Sequence, residues 1–244
     1  MDIDLVRNLE ERAFAAWPAE EVRSLGPWRL RYTQGTTRRA NSVWMDGGSD
    51  LEPMVDEAER FYRTRGQPPL FQVSPLAPSG LDDLLAGRGY AADAPVAIEV
   101  AAVEAVAAAG DGRGRIERRL QDPWFEVAVR ARFAAVAPVY RALLERIGDR
   151  ALYALVEDDG HPAAVGLGVV HGEWMGVFNM VTAPDHRRRG LARSVLSALA
   201  AGARERGAAR LYLQVERANA AARALYAGAG FAEVYGYHYR LGII

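Results

Sequence analysis

One feature limits the folds open to this chain more than any other. An apolar stretch runs straight into a basic, glycine-containing turn, and an amphipathic segment follows at once. Trp174 to Val181 has the composition of a strand. Val181-Thr182-Ala183-Pro184-Asp185-His186-Arg187-Arg188-Arg189-Gly190-Leu191-Ala192 comes next, and helical spacing of apolar residues predicts a helix over 190–206. A strand, a tight turn and a helix in that order bring three things to one point: free backbone N–H groups, the positive end of a helix dipole and up to three guanidinium groups. Such a point receives a di-anion such as a pyrophosphate. Gly190 lets the backbone approach closely, and Ala192 is small for the same reason. Each charge-assisted hydrogen bond contributes about 1.5–3 kcal/mol, so three or four would supply much of a micromolar affinity. A solvated arginine cluster and a nucleic-acid patch are the plainer readings. Nucleic-acid binding calls for a broader basic face than this chain of net charge −1 offers.

A second segment follows at a fitting distance. Leu211 to Val215 is a predicted strand, Glu216-Arg217-Ala218-Asn219 a polar exit and Ala220 to Tyr226 a short helix. Gly228-Ala229-Gly230-Phe231 ends that helix and opens another strand. Arg-x-x-Gly-x-Ala followed by Leu-x-Val-x-x-x-Asn-x-x-Ala-x-x-Leu-Tyr-x-x-x-Gly-Phe resembles the GCN5-related N-acetyltransferase (GNAT) superfamily over residues 115–244. The resemblance implies an α/β (α+β) fold with a mixed, mostly antiparallel sheet flanked by helices. It implies acetyl-CoA as co-substrate, no metal, and direct acetyl transfer to a primary amine in a ternary complex.

The same resemblance assigns residues. Backbone amides of Met180, Val181 and Thr182 would hold the pantetheine arm. Arg187, Arg188, Arg189, Gly190, Leu191, Ala192 and Arg193 would hold the pyrophosphate. Asn219 would touch the pantetheine, although its place before a helix equally suits an N-cap. Tyr226 would bind near the sulfur and protonate the leaving thiolate; plain core packing is the alternative. The proton acceptor is harder to place. Some N-terminal-amine acetyltransferases carry a glutamate where this chain has Gln214, and histone-type members carry one where it has Met175 or Gly176. Glu216, Glu173, His238 and a held water remain, with a water-mediated or Glu216-assisted route preferred. A surface carboxylate paired with Arg217 or Arg223 is the plainer reading of Glu216.

The chain also repeats itself. Helix, strand, helix and strand over 50–65, 70–73, 81–86 and 96–100 recur in the second half. Gly66 and Gly207, Gln72 and Gln214, and Gly89 and Gly230 stand about 141 residues apart. Residues 1–110 are therefore expected to form a degenerate GNAT-like domain and residues 115–244 the catalytic one, with Asp111-Gly112-Arg113-Gly114 as linker. At the first copy's counterpart of the basic turn, Asp46-Gly47-Gly48-Ser49-Asp50-Leu51 has two acids and no arginine. That copy should not bind the cofactor. It would wall the site, shape the acceptor pocket, support dimerisation or serve stability alone. Elsewhere in the second half, helices are predicted over 123–133 and 138–147 and strands over 151–156, 163–170 and 232–240. Tyr235, Tyr237 and Tyr239 share a face of the last strand, and Trp174 and Phe178 a face of theirs, as core or as an aromatic acceptor pocket.

Composition narrows the chemistry. With no cysteine there is no disulfide, thiolate nucleophile or cysteine zinc site. All 30 basic residues are arginine, which excludes Schiff-base and pyridoxal-phosphate chemistry. The four histidines show no i, i+4 pairing suited to a metal. Gly112-x-Gly114 and Gly166-x-Gly168 lack the third glycine of a dinucleotide loop. No apolar run approaches the roughly 20 residues that span a bilayer. The expectation is a cytoplasmic acetyltransferase with a small-molecule amine acceptor and no nucleic-acid or membrane partner; a homodimer is compatible with the chain. A protein or peptide N-acetyltransferase and a non-catalytic acyl-CoA-binding regulator are the rival readings.

Overall fold

The computed structural model describes residues 1–130 and 133–243. The chain forms two units: Met1–Ala97 with Glu216–Ala218 and Tyr235–Ile244, and Ile98–Val215 with Asn219–Val234.

In the first unit Asp2 starts helix α1 (Ile3–Ala16) by accepting the amides of Asp4 and Leu5 at 3.1 Å each. Strands β1 (Glu21–Leu25) and β2 (Trp28–Tyr32) form a hairpin, and β3 (Val43–Met45) adds to β2. Helix α2 (Leu51–Arg63), strand β4 (Leu70–Val73), helix α3 (Leu81–Gly87) and strand β5 (Ala91–Ala102) follow, and the unit boundary falls inside β5. β4 runs parallel to β3 and antiparallel to chain-terminal residues 238–241. Trp28, Leu30, Phe61, Tyr62 and Phe71 fill the core. A polar network is buried with them. Glu10, fully buried, accepts hydrogen bonds from Trp44 Nε1 (3.2 Å), Gln72 Nε2 (2.7 Å) and Tyr235 Oη (2.8 Å). Arg31 donates to both oxygens of Ser42 and to Gln72. Burial pushes the Glu10 carboxyl above its ordinary range, against the pull of those donors. Tyr235, Tyr237 and Tyr239 are all buried in this unit.

The second unit continues with α4 (Val103–Ala108), β6 (Arg115–Glu117), α5 (Asp122–Arg130), α6 (Ala137–Glu145), β7 (Ala151–Asp158), β8 (His161–His171) and β9 (Trp174–Thr182). Helix α7 (Leu191–Glu205), β10 (Arg210–Glu216), α8 (Ala220–Gly228) and β11 (Ala232–Leu241) complete the chain. β6, β7, β8 and β9 pair antiparallel in sequence order, and β10 joins β9 in parallel. Asp159 and Gly160, both at positive φ, make the two-residue turn between β7 and β8. The predicted helix over 123–133 is found as Asp122–Arg130; residues 131 and 132 of that expectation lie outside the described residues.

Helix α7 packs across β7, β8 and β9. Its closest approach explains Gly166-x-Gly168. A Cβ on Gly166 would fall 2.6 Å from Val195 Cγ1, and one on Gly168 would fall 2.4 Å from Met175 Sδ of β9 and 3.2 Å from Leu199 Cδ2. These glycines make room for a helix rather than for a phosphate. The segment expected as linker is packed as well: a Cβ on Gly114 would meet Ala198 Cβ at 2.5 Å, and one on Gly110 would overlap the Ser197 side chain. No helix among the described residues is long and apolar enough to cross a membrane.

One carboxylate pins the chain's last residues to α3. Arg240 donates to Asp82 Oδ1 and Oδ2 at 2.8 and 2.9 Å, and His238 Nε2 lies 2.8 Å from Oδ1. Those contacts, Arg240 foremost, hold the Asp82 carboxyl down at about 2. A depressed carboxyl stabilises fully above its unfolded value of about 4, and the contribution is lost as pH falls toward the folded value. Asp82→Asn should therefore lower the melting temperature at pH 7 by about 2–4 °C, and the difference should shrink steeply as pH falls from about 4 toward 2 in calorimetric melts.

Candidate active site

Strand β9 changes character half-way along. Residues 174–178 are buried and residues 179–182 are only half-buried. Phe178 stands opposite Leu167 and Val181 opposite Val165, so Asn179 and Met180 together face Gly166 alone. That is a bulge, with Asn179 in the left-handed region at φ +50. The Gly166 carbonyl accepts from Trp124 Nε1 of α5 at 3.1 Å. On the other side of β9, pairing with β10 runs from Trp174–Arg210 to Val177–Leu213 and stops. The β10-facing edge of residues 178–182 therefore has no ladder partner among the described residues. Met180, Val181 and Thr182 all lie on that edge segment.

A single turn over Pro184–His186 then leads to the basic loop. Arg188 and Gly190 take positive φ, +60 and +80, and α7 begins at Leu191. The amides of Arg188, Arg189, Gly190, Leu191 and Ala192 have no protein acceptor among the described residues. A Cβ on Gly190 would meet nothing closer than Arg113 Nη2, at 3.9 Å. Five open amides and an unobstructed glycine at the start of a 15-residue helix form an anion cradle.

A family model described as probable histone acetyltransferase Rv0428c C-terminal matches residues 4–240. The chain belongs to that family. It is similar to the uncharacterized N-acetyltransferase YobR of Bacillus subtilis, with 31% identity over 98% of this chain and 99% of the relative. A shorter match, 38% identical over 35% of this chain and 58% of the relative, is to the ribosomal protein bS18-alanine N-acetyltransferase of Escherichia coli. Among solved structures, a GCN5-related N-acetyltransferase from Kribbella flavida superposes with a TM-score of 0.71 at 12% identity, covering 98% of this chain and 94% of that one. The fold is the mixed α+β GNAT fold, and the protein is a GNAT-type N-acetyltransferase.

The arginines of this acetyltransferase's loop do different things. Arg189 donates to Asp158 at 2.7 Å, and His186 Nδ1 lies 2.8 Å from the same oxygen. His186 first and Arg189 after it hold the Asp158 carboxyl below the usual carboxylate range. Arg187 reaches only the Thr182 carbonyl, at 3.5 Å. Arg188 has no side-chain partner among the described residues. Arg193 Nη2 lies 3.6 Å from where a Cβ on Gly228, the last residue of α8, would sit. Arg113 supplies a guanidinium that sequence reasoning left in a linker. It is held over Gly190 by Asp111 (2.6 Å), which also bonds Ser194 of α7.

The remaining residues are placed as follows. Asn219 caps α8, accepting the Ala222 amide at 3.1 Å. Tyr226 is buried on α8 with its ring 5.8 Å from that of Phe231. Arg223, one helical turn before it, pairs with Glu99 at 3.3 Å and Glu233 at 3.1 Å. Glu99 is a buried carboxylate whose Oε2 has no partner. Glu216 belongs to the first unit, where Arg38 holds its Oε1 at 3.1 Å and Asp93 at 2.9 Å. His238 is committed to Asp82 in that unit, and Glu173 is exposed. Asp158, Trp124 and Glu99 escaped sequence reasoning because each pairs with a residue distant in sequence, and Arg113 because its place near Gly190 exists only in the fold.

Trp124→Phe tests the bulge. It removes the indole donor from the Gly166 carbonyl, so denaturant unfolding should show a loss of about 0.5–1.5 kcal/mol with an unchanged m-value. An unchanged midpoint would show that the indole N–H does not support the bulge.

Proposed function

We propose that this acetyltransferase moves acetyl from acetyl-CoA to the primary amine of a small molecule, with the cofactor held by the second unit. One observation carries the reading: the unpaired edge of β9 leads directly into five unpartnered amides at the start of α7. An extended pantetheine arm, itself a chain of amides, would pair with residues 180–182 as a neighbouring strand would. The pyrophosphate would take the amides of Arg188, Arg189, Gly190, Leu191 and Ala192. Arg187, Arg188 and Arg113 would face it with charge, while Arg189 stays on Asp158 and fixes the loop.

Acetyl-CoA supplies an acetyl group activated as a thioester. The acceptor nitrogen forms the new C–N bond as the C–S bond breaks. Tyr226 gives its hydroxyl proton to the departing sulfur, and Asn219 steadies the arm while capping α8. The proton released by the amine goes to a carboxylate or to water held by one. Glu216, whose Oε2 has no partner among the described residues, is the group favoured from sequence; Glu99, buried and half-satisfied, is the alternative the fold supplies. Positioning accounts for up to roughly 7–11 kcal/mol of the barrier, more than the 10²–10⁴-fold of acid–base help.

The two halves are read as tandem copies: α2, β4, α3 and β5 repeat the order of α7, β10, α8 and β11. In the first copy the counterpart loop offers Asp46, already paired with Arg7 at 2.8 Å, and no cation for a phosphate. It is read as silent toward the cofactor. A cytoplasmic enzyme without a nucleic-acid partner fits the near-neutral charge.

Similarity to the alanine N-acetyltransferase favours one second reading, acetylation of a protein N-terminus. CoA release measured with a panel of small primary amines beside a peptide beginning with alanine separates the two. Small amines should stimulate release well above hydrolysis and the peptide should not; the reverse would move the acceptor class to proteins. With the best acceptor, Tyr226→Phe should lower kcat by about 10²-fold or more while acetyl-CoA binding changes little.

A further inference from the structure

The backbone of the first unit is strained at two places that meet through their neighbours. Thr37 takes φ +64 and Ala94 takes φ +44. A β-branched residue in that region is an outlier, and glycine would enter it more easily than alanine. Each stands next in sequence to a charged residue, Arg38 and Asp93, and these two pair: Arg38 Nη2 lies 2.9 Å from Asp93 Oδ2. Arg38 Nη1 donates to Glu216 Oε1 at 3.1 Å. One guanidinium thus joins two carboxylates from distant parts of the chain.

Both backbones are firmly held. Asn41 Nδ2 donates to the carbonyls of Thr36 and Thr37 at 2.7 and 2.8 Å, and the Asn41 amide donates to that of Arg38 at 3.0 Å. Trp17 Nε1 donates to Thr37 Oγ1 at 2.9 Å. Just past Ala94, the Pro95 carbonyl accepts the Arg217 amide at 2.8 Å, which fixes the chain next to Glu216. Stability does not account for this arrangement. Ion pairs between side chains as exposed as these add little, and strained residues cost more than such pairs contribute. Strain of this kind is kept where a side chain must be aimed. Glu216 ends β10, beyond Leu213, the last residue to pair with β9. Its Oε2 has no partner among the described residues.

We propose that Arg38 is a positioning residue for Glu216. By holding Oε1 it fixes the carboxylate so that Oε2 receives the proton of the acceptor amine, and Asp93 in turn fixes Arg38. As the amine nitrogen bonds the acetyl carbon, its N–H proton moves to Oε2; Arg38 keeps its own protons throughout. A glutamate already deprived of rotamer freedom loses less on reaching the reactive geometry. This assignment rests on the reading that Glu216 is the proton acceptor, and it gives the first unit a part in the reaction.

Steady-state kinetics of the full chain with its best amine test it. Arg38→Gln should lower kcat by about tenfold or more and leave the KM for acetyl-CoA within about twofold. Arg38→Lys keeps one charge without the fork and should fall between the two; it replaces the glutamine variant if that one does not fold. Glu216→Gln should lower kcat by about 10²-fold or more, and adding the Arg38 substitution to it should cause no further loss. Losses that multiply in the double variant would show Arg38 acting independently of Glu216 and would overturn the assignment. An unchanged kcat in both Arg38 variants, with Glu216→Gln impaired, would overturn it too while leaving Glu216 as proton acceptor. An unchanged kcat in Glu216→Gln would overturn the proton-acceptor reading and this assignment with it.

Discussion

The second unit turns on a local mismatch between two strands: two residues of β9, Asn179 and Met180, set against the single Gly166 of β8. Without a side chain, Gly166 lets Val195 and Leu199 of α7 come close, and its carbonyl accepts a hydrogen bond from Trp124 Nε1. Beyond the mismatch β9 leaves its buried, doubly paired course and carries an open edge toward the loop that starts α7. The backbone groups there are not orphans of poor folding. An extended, amide-bearing ligand lying along that edge, as proposed, would complete them.

Charge is distributed around that surface by pairing rather than by number. Three consecutive arginines read alike in sequence, yet Asp158 takes Arg189 and shares itself with His186. Arg193 lies near Gly228, at the end of α8 where a cation is favoured. Arg113 arrives from a segment with no regular structure, anchored through Asp111 and Ser194 and through the close packing of Gly110 and Gly114 on α7. The positive field at the loop is therefore assembled from the basic turn and from the connector.

The elements of the second half were largely legible, because α7, α8 and strands β7 to β10 have clean periodicity and glycine or asparagine punctuation. The predicted helix over 190–206 is found at Leu191–Glu205, and the Asn219 cap is where the polar exit placed it. The first 49 residues were not legible. β1 is mostly exposed and β3 has three residues, too short for alternation to show, while α1 hides a buried glutamate on its apolar face. Glu10 and Arg31 look like surface residues in sequence and are core residues in the fold, satisfied by Trp44, Gln72, Tyr235 and Ser42 from distant segments. Trp124, Asp158 and Asn179 have meaning only once β8 and β9 are in register. Gly66 and Gly207 each stand just past the end of a helix, α2 and α7, as their spacing suggested.

The loop from Arg187 to Ala192 is proposed here as the one CoA site of the chain. Calorimetric titration of CoA into the wild-type protein and into Gly190→Asp tests it most directly. One CoA per chain is expected for wild type and no binding for the variant, because the aspartate adds bulk and negative charge where the loop is open. Two sites per chain, or a single site unaffected by the aspartate, would contradict it.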